Sequence, residues 1–592
     1  MNKFFNLIDK KFKKRIVLYI FLLIFQIALE SVSIALIPLF ISFIANSDLI
    51  LNIPLESLRV LLQSLTQKEL IYYLVVGLMI LFICKATYSI YLIHFQSKLI
   101  AEINFNLKDF FFRNYLMSPY EFINSYNTSD ILRNLDDTTS RYTSNFFLII
   151  NFFKDLIMTL MIFLILIFVD FFSATISLLI LILISFFYLM FWKKKLEQIG
   201  KIQISSKRNM FKWIIQSLSM IKEIIITNKT ARAVDEYLKN VFLFEQSKKK
   251  MQIIQSIPSA FFELLIVILI LISILFVTSA EIENPIPILS LYTIAAIRLL
   301  PIFSRFSSYM ASIHSILPAI KLLQSEFMKL DIIDNEKEIL NKKKDKNQDD
   351  RINFTNNILI KDLSFRYKDS DKLILNKINL KINKGSCVAF VGKSGSGKTT
   401  LINLIAGLLT PNEGEIFIDE NLNKYCLNAW QRKIGLLSQD NYLIDETIKN
   451  NIVLLNDDSV INEKKLENAI LFSGVKDISD KLPKKLDTMV GEKGTLFSSG
   501  QIQRIALARL LYRDPEVLIL DEFTNSLDHE NEKIILKNLE NLKIKQNKTI
   551  IMISHKMKPL RITDKIFILN NSKIESELDF KKFYEDFSAI YD

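Results

Sequence analysis

Cysteine is scarce in this 592-residue chain, with only Cys84, Cys387 and Cys426. Three thiols exclude a disulfide framework and show no metal-ligand spacing, so a reducing compartment is the expectation. Charge is also sparse: 23% of residues are charged and half are hydrophobic, which excludes intrinsic disorder and argues against a purely soluble protein. Lys and Arg number 74 against 62 Asp and Glu, a net charge of +12, and mean hydropathy is +0.26. A basic balance on so apolar a chain fits a membrane protein with cytoplasmic Lys and Arg, and does not suit nucleic-acid binding. An AT-rich genome, which favours Lys, Ile, Asn and Phe codons, is a second source of the same bias. The length predicts several units, because a single hydrophobic core stops growing at roughly 250–300 residues.

Apolar runs long enough to cross a bilayer of about 30 Å recur at 16–45, 70–95, 146–169, 171–192, 257–278 and 286–306. The first is too long for a cleavable signal peptide and has no small-residue cleavage site after it. The loops at 170–173 and 280–285 contain no Lys or Arg, whereas 96–144 and 193–256 are long and rich in both. The positive-inside rule therefore places those long segments and both termini in the cytoplasm. The third and fourth spans, joined around Asp170, form a hairpin. In the first external loop Leu55, Leu58, Leu61, Leu62 and Leu65 trace an amphipathic helix over 54–65, either a structural cap or an interfacial helix. These readings predict a transmembrane domain over 1–328 with long cytoplasmic helical extensions, a charged linker over 329–350, and a separate cytoplasmic domain over 351–592.

Charged residues inside the spans are costly unless paired or functional, and Glu30, Lys85, Asp155, Glu263, Arg298 and Arg305 qualify. Arg298 and Arg305 lie two helical turns apart on one face, about 18 Å and 28 Å from the outer end at Ile286. They suit a phosphate or pyrophosphate in transit, or else structural salt bridges to Glu263 or Asp155.

In the last domain a buried strand, 387–391, runs into Gly392-Lys393-Ser394-Gly395-Ser396-Gly397-Lys398-Thr399, followed by a helix that opens on Thr400. This is the GxxxxGK[ST] phosphate loop. Its glycines aim backbone N–H groups at phosphate oxygens, Lys398 reaches the β- and γ-phosphates, and Thr399 Oγ ligates Mg²⁺. A second buried strand, 517–521, ends in Asp521 and Glu522. Asp521 suits the Mg²⁺ site, and Glu522 is placed to orient or deprotonate the attacking water. Between them stands Leu496-Phe497-Ser498-Ser499-Gly500-Gln501-Ile502-Gln503-Arg504.

Here the sequence resembles the ATP-binding cassette family, whose signature usually reads LSGGQxQR. Tyr367, Gln439, Asp528 and His555 follow the family order as well. The resemblance implies that Tyr367 stacks on adenine, Gln439 joins Thr399 and Asp521 around Mg²⁺ and senses the γ-phosphate, and His555 is the switch histidine. Asp528 and the signature residues Ser498, Gly500 and Gln501 belong to the nucleotide site. His94, His314 and His529 are read as structural. In this family two cassettes sandwich two ATPs, so a chain with one cassette and six spans is a half-transporter that must dimerise. A homodimer is expected, with a heterodimer as the alternative. Ser499 and Phe497 depart from the signature, and a side chain at 499 is tolerated only if its φ is negative.

The six-helix half and cassette look like the exporter class, an α-helical membrane domain followed by an α/β P-loop domain in the bacterial inner membrane. That resemblance makes 118–126 and 217–229 candidate coupling helices and Glu492 part of an exporter-specific loop. Segments 257–263 and 297–305 look like the lipid-linked oligosaccharide flippases of bacterial protein glycosylation, implying a polyprenyl-pyrophosphate glycan facing Arg298 and Arg305. Export of a peptide, lipid or drug, without room for an N-terminal leader-peptidase domain, and a low-turnover nucleotide-gated regulator are the competing expectations.

Overall fold

The computed structural model describes residues 10–45, 67–169, 171–279, 286–342, 354–368, 370–419, 421–422, 427–454 and 461–591. They fall into two units, a helical one over 1–118 and 123–335 and a mixed one over 119–122 and 336–592. The expected external helix at 54–65 lies outside the described residues, as do Asp170, the 280–285 loop and Cys426.

Among the described residues of the helical unit, six helices exceed 30 residues. They are α1 (Lys10–Ala45), α2 (Gln67–Met117), α5 (Thr139–Val169), α6 (Phe171–Ser219), α8 (Thr230–Ser279) and α9 (Ile286–Lys342). Between α2 and α5 lie α3 (Tyr120–Asn124), α4 (Thr128–Arg133) and a π-turn at Asn134–Thr138, and α7 (Ile221–Ile226) links α6 to α8. Each of the six contains one of the expected apolar runs. Four stretches, Lys11–Pro38, Ile71–Met117, Thr128–Phe168 and Leu289–Leu330, are long and apolar enough to cross a membrane among the described residues. Their apolar stretches present large side chains outward as well as inward, with Phe21, Ile83, Phe168 and Phe171 exposed, as segments solvated by lipid do. Inward, Ile27 and Ile34 of α1, Ile162 and Phe163 of α5 and Leu299 and Phe303 of α9 share one core. A Cβ on Gly200 of α6 would overlap the Ser315 carbonyl oxygen of α9, so the two helices meet there at a separation only glycine permits. Helix α9 runs on to Lys342, so the first part of the expected 329–350 linker is helical.

The mixed unit carries two sheets. An antiparallel one, in the order β2-β1-β4-β5, comprises β1 (Asn357–Phe365), β2 (Leu375–Asn383), β4 (Glu413–Ile418) and β5 (Asn421–Leu422). The other, in the order β10-β9-β3-β8-β7-β6, contains β3 (Cys387–Val391), β6 (Ile434–Leu437), β7 (Val517–Asp521), β8 (Thr549–Ile553), β9 (Lys565–Asn570) and β10 (Lys573–Leu578). Strands β6, β7, β8, β3 and β9 are parallel, and β10 returns antiparallel. Strands β3, β7 and β8 are buried throughout, and alternate residues feed different cores: Phe390, Ile519 and Ile551 enter one, Ala389, Leu520 and Met552 the other. A parallel sheet covered on both faces requires such uninterrupted apolar strands. Helices α10 (Lys398–Ile405), α11 (Glu463–Ser473), α12 (Ser499–Tyr512) and α13 (His529–Gln546) complete the frame.

Candidate functional site

The site forms where β3, β6, β7 and β8 end, the edge at which open parallel sheets place ligands. The loop after β3 turns on Gly392, Gly395 and Gly397, all at positive φ. Side chains are barred for separate reasons: a Cβ on Gly392 would overlap the Leu569 carbonyl, and one on Gly397 would come 2.8 Å from Leu375. Gly397, at φ +102°, caps α10 without a side-chain hydrogen bond, so the helix presents bare backbone donors. Lys398 Nζ donates to the carbonyls of Gly392 (2.8 Å) and Lys393 (3.0 Å), folding the ammonium into the loop. Burial lowers its pKa, against the opposing pull of Glu522 and Asp521.

Thr399 Oγ1 donates to Asp521 Oδ2 at 3.2 Å. Burial raises the Asp521 pKa, and nearby Glu522 adds to the rise, while the Thr399 bond and Lys398 oppose it. The next residue, Glu522, is held at φ +49°, a left-handed conformation that is uncommon outside glycine. Its carboxylate accepts from Gln439 Nε2 (3.0 Å) and Asn525 Nδ2 (2.7 Å) and lies 3.4 Å from His555 Nε2. Thr399, Gln439, Asp521, Glu522 and His555 therefore lie in one cluster. Asn525 joins it unforeseen, because nothing in its sequence position marks a side chain turned back onto Glu522.

Two features bear on whether ATP and Mg²⁺ fit. The Ser396 hydroxyl is buried inside the loop with no hydrogen-bond partner, and the Gly395 Cβ position is open. A polar atom is costly in that state, so the loop suits an oxygen-rich ligand. The Thr399–Asp521 oxygen pair is the hard donor chemistry that Mg²⁺ takes. The Tyr367 ring meets Phe365 edge-on, and its hydroxyl lies 3.3 Å from Thr400 Oγ1, so this aromatic stands beside the phosphate loop.

The signature residues are built as helix caps. Ser498 caps α12 at φ −69°, with Ser498 Oγ accepting from Gln501 N and Gln501 Oε1 accepting from Ser498 N (2.9 Å). Ser499 opens the helix and is absent from the positive-φ residues, so its side chain causes no backbone strain. Gly500 is the constrained position, because a Cβ there would sit 2.6 Å from the Ser526 carbonyl. Phe497 packs against a core containing Leu443 and Ile505. Asp528 caps α13 by accepting from Asn531 N at 2.8 Å, and Glu492 lies in a short 3₁₀ turn.

In the helical unit Arg305 Nε donates to Asp155 Oδ2 at 2.9 Å, and Tyr309 donates to the same oxygen at 3.0 Å. Asp155, one of the two counter-ions expected, is therefore paired with Arg305. Lys154 Nζ lies 3.6 Å from the other Asp155 oxygen. Arg298 is half-buried and within electrostatic range of Lys85, which also faces Glu30. Both candidate coupling segments contain a short helix, α3 and α7.

Residues 375–525 match the family model described as ABC transporter. The leukotoxin export ATP-binding protein LtxB of Aggregatibacter actinomycetemcomitans is 37% identical over 235 residues, 40% of this chain and 33% of that protein. The alpha-hemolysin translocation ATP-binding protein HlyB of Proteus vulgaris gives the same identity and coverage. A putative multidrug export ATP-binding/permease protein of Staphylococcus aureus is 40% identical over 217 residues, 36% of each chain. The chain thus spans about a third of the length of these curated relatives. A solved bacterial Atm1-family ABC exporter with ATP bound aligns over 98% of both chains, with a TM-score of 0.74 and 17% identity. The fold is accordingly that of an Atm1-type ABC exporter, a helical transmembrane domain followed by an α/β nucleotide-binding domain.

Proposed function

We propose that the chain is one half of an ATP-driven exporter, hydrolysing ATP at the Lys398–Glu522 site and working with a second copy of itself in the bacterial inner membrane. The observation that carries this reading is the Glu522 carboxylate, held by strained backbone and by Gln439 and Asn525 beside the Thr399–Asp521 pair.

The phosphate-loop N–H groups and Lys398 grip the β- and γ-phosphates, and Tyr367 supplies a face for adenine. Glu522 orients the attacking water and takes its proton, Gln439 and Asn525 fix the carboxylate, and His555 meets the γ-phosphate. Thr399, Gln439 and Asp521 would hold Mg²⁺, which would neutralise phosphate charge. The capped N-terminus of α12, with Ser498, Gly500 and Gln501, and the nearby Asp528 complete the site of the second copy. In the full chain reconstituted in lipid, Glu522→Gln is expected to lower ATP turnover by about a hundredfold or more; turnover within threefold of wild type removes the assignment.

The cargo we propose is an anionic lipid, a polyprenyl-pyrophosphate-linked glycan. Support comes from charge. Lys154 and Arg305 share the Asp155 carboxylate, and Lys85 lies within electrostatic range of both Arg298 and Glu30, so among the described residues each group sets two cations near one carboxylate. A membrane interior tolerates uncompensated cations poorly, and an anionic headgroup relieves the cost. Arg298→Ala/Arg305→Ala should abolish flipping of such a lipid in vesicles, and wild-type flipping by that variant refutes the cargo. The relatives' names favour a second reading, toxin or drug export, in which drug-stimulated ATPase activity survives the double substitution.

A further inference from the structure

Arg509 lies near the C-terminal end of α12, away from the phosphate loop, and all its guanidinium contacts go to one segment. Its Nη1 donates to the Tyr442 carbonyl at 2.9 Å, and its Nε and Nη2 to the carbonyl and side-chain oxygens of Asn451 at 2.8 and 2.9 Å. Asn451 is fully buried and grips the same segment. Its Oδ1 accepts from Ile444 N at 3.0 Å, and its Nδ2 donates to the carbonyls of Ile444 (2.9 Å) and Thr447 (3.1 Å). Leu443, between these anchors, is buried in the core that also takes Ile505 of α12. The loop from Tyr442 to Thr447 is therefore fastened to α12 by a planar fork, a buried carboxamide and a packed leucine.

This fastening bears on the site because Gln439, which holds Glu522, precedes Tyr442 by only about 11 Å of fully extended chain. The Tyr442 anchor therefore acts on the same short stretch of backbone that carries the Gln439 carboxamide. The helix carrying the anchor begins with Ser498, Gly500 and Gln501. One rigid body thus bears the tether of this chain's γ-phosphate sensor and the cap it offers to ATP on a second copy.

We infer that Arg509 is a positioning residue for ATP hydrolysis, tying the Gln439 loop to the signature helix so that the two composite sites of a dimer respond together. The inference rests on the ATPase reading above. Lys is a discriminating substitution because it keeps the charge but lacks the fork, which binds two residues at once. In the reconstituted full chain, Arg509→Lys should keep ATP affinity within about twofold, lower kcat roughly tenfold and bring a Hill coefficient of about 2 towards 1. Asn451→Ala should do the same, with amide hydrogen exchange over residues 439–444 faster in both variants. Wild-type kcat and cooperativity in Arg509→Lys overturn the inference. So does lower activity that only follows a loss of folded protein in thermal melting, with cooperativity unchanged. If the wild type itself does not hydrolyse ATP, the proposed function fails, and hydrogen exchange alone decides: unchanged exchange at 439–444 overturns the positioning role.

Discussion

The two units treat charge in opposite ways. In the mixed unit, Lys398, Asp521, Glu522 and His555 gather at the strand ends, where hydrogen-bonded loops and one strained backbone residue hold them at close quarters. In the helical unit, charges sit in small groups between apolar helices, and Asp155 answers Arg305 across 150 residues of sequence. Partly solvated strand ends let several charges share one cluster, whereas in the apolar bundle Arg305 takes its counter-ion from another helix. Polar groups concentrate chemistry in the first case and define packing in the second.

That contrast can be broken experimentally, and the largest effect is expected in the bundle. Asp155→Asn leaves Arg305 without its countercharge and should cost about 3 kcal/mol in unfolding experiments in detergent. A loss below 1 kcal/mol would show that the pair does not organise the bundle. In the other unit, Gly500→Ala should cost about 2 kcal/mol, because its Cβ meets the Ser526 carbonyl and a backbone must shift. Ser499→Gly, although it restores the usual signature, should bring no gain and a loss of up to about 1 kcal/mol, since glycine is a poor helix residue. A stabilising Ser499→Gly would contradict the helical conformation at that position. Both are read by denaturant unfolding.

The smallest effect depends on pH. Burial alone would raise the Glu516 pKa, but Lys433 and Lys384 hold it below the ordinary value. Its contribution is therefore present above the unfolded glutamate pKa and is lost as pH falls through the lower folded value. Glu516→Gln should lower the melting temperature by a few degrees at pH 7, with the gap closing towards pH 3. A constant gap would assign the loss to packing.

Much of the Lys398–Glu522 cluster was legible because its residues follow backbone requirements: glycines where the loop must turn, apolar strands beside them, and carboxylates at a strand end. The six apolar runs likewise anticipated six long helices. Partnership across the fold was not legible. Nothing near Arg305 names Asp155 as its partner over Glu263, and Asn525 becomes a ligand of Glu522 only once the chain turns at φ +49°. At 499 the sequence left two outcomes, which depend on φ, and the helix start decides between them. The charged stretch after residue 329 resembled a linker in composition, yet α9 continues through its first part, since Lys and Glu are good helix formers.

The crossing of Gly200 over Ser315 also has a mechanical side. Both α6 and α9 extend about 44 Å beyond this point towards their N-terminal ends, because Gly200 and Ser315 lie equally far along their helices. The contact therefore has the geometry of a scissor pivot with matched blades. A rotation of about ten degrees there separates the blade tips by about 8 Å, whereas the backbones at the pivot stay almost in place. A methyl group at residue 200 would force the blades apart at the rivet itself.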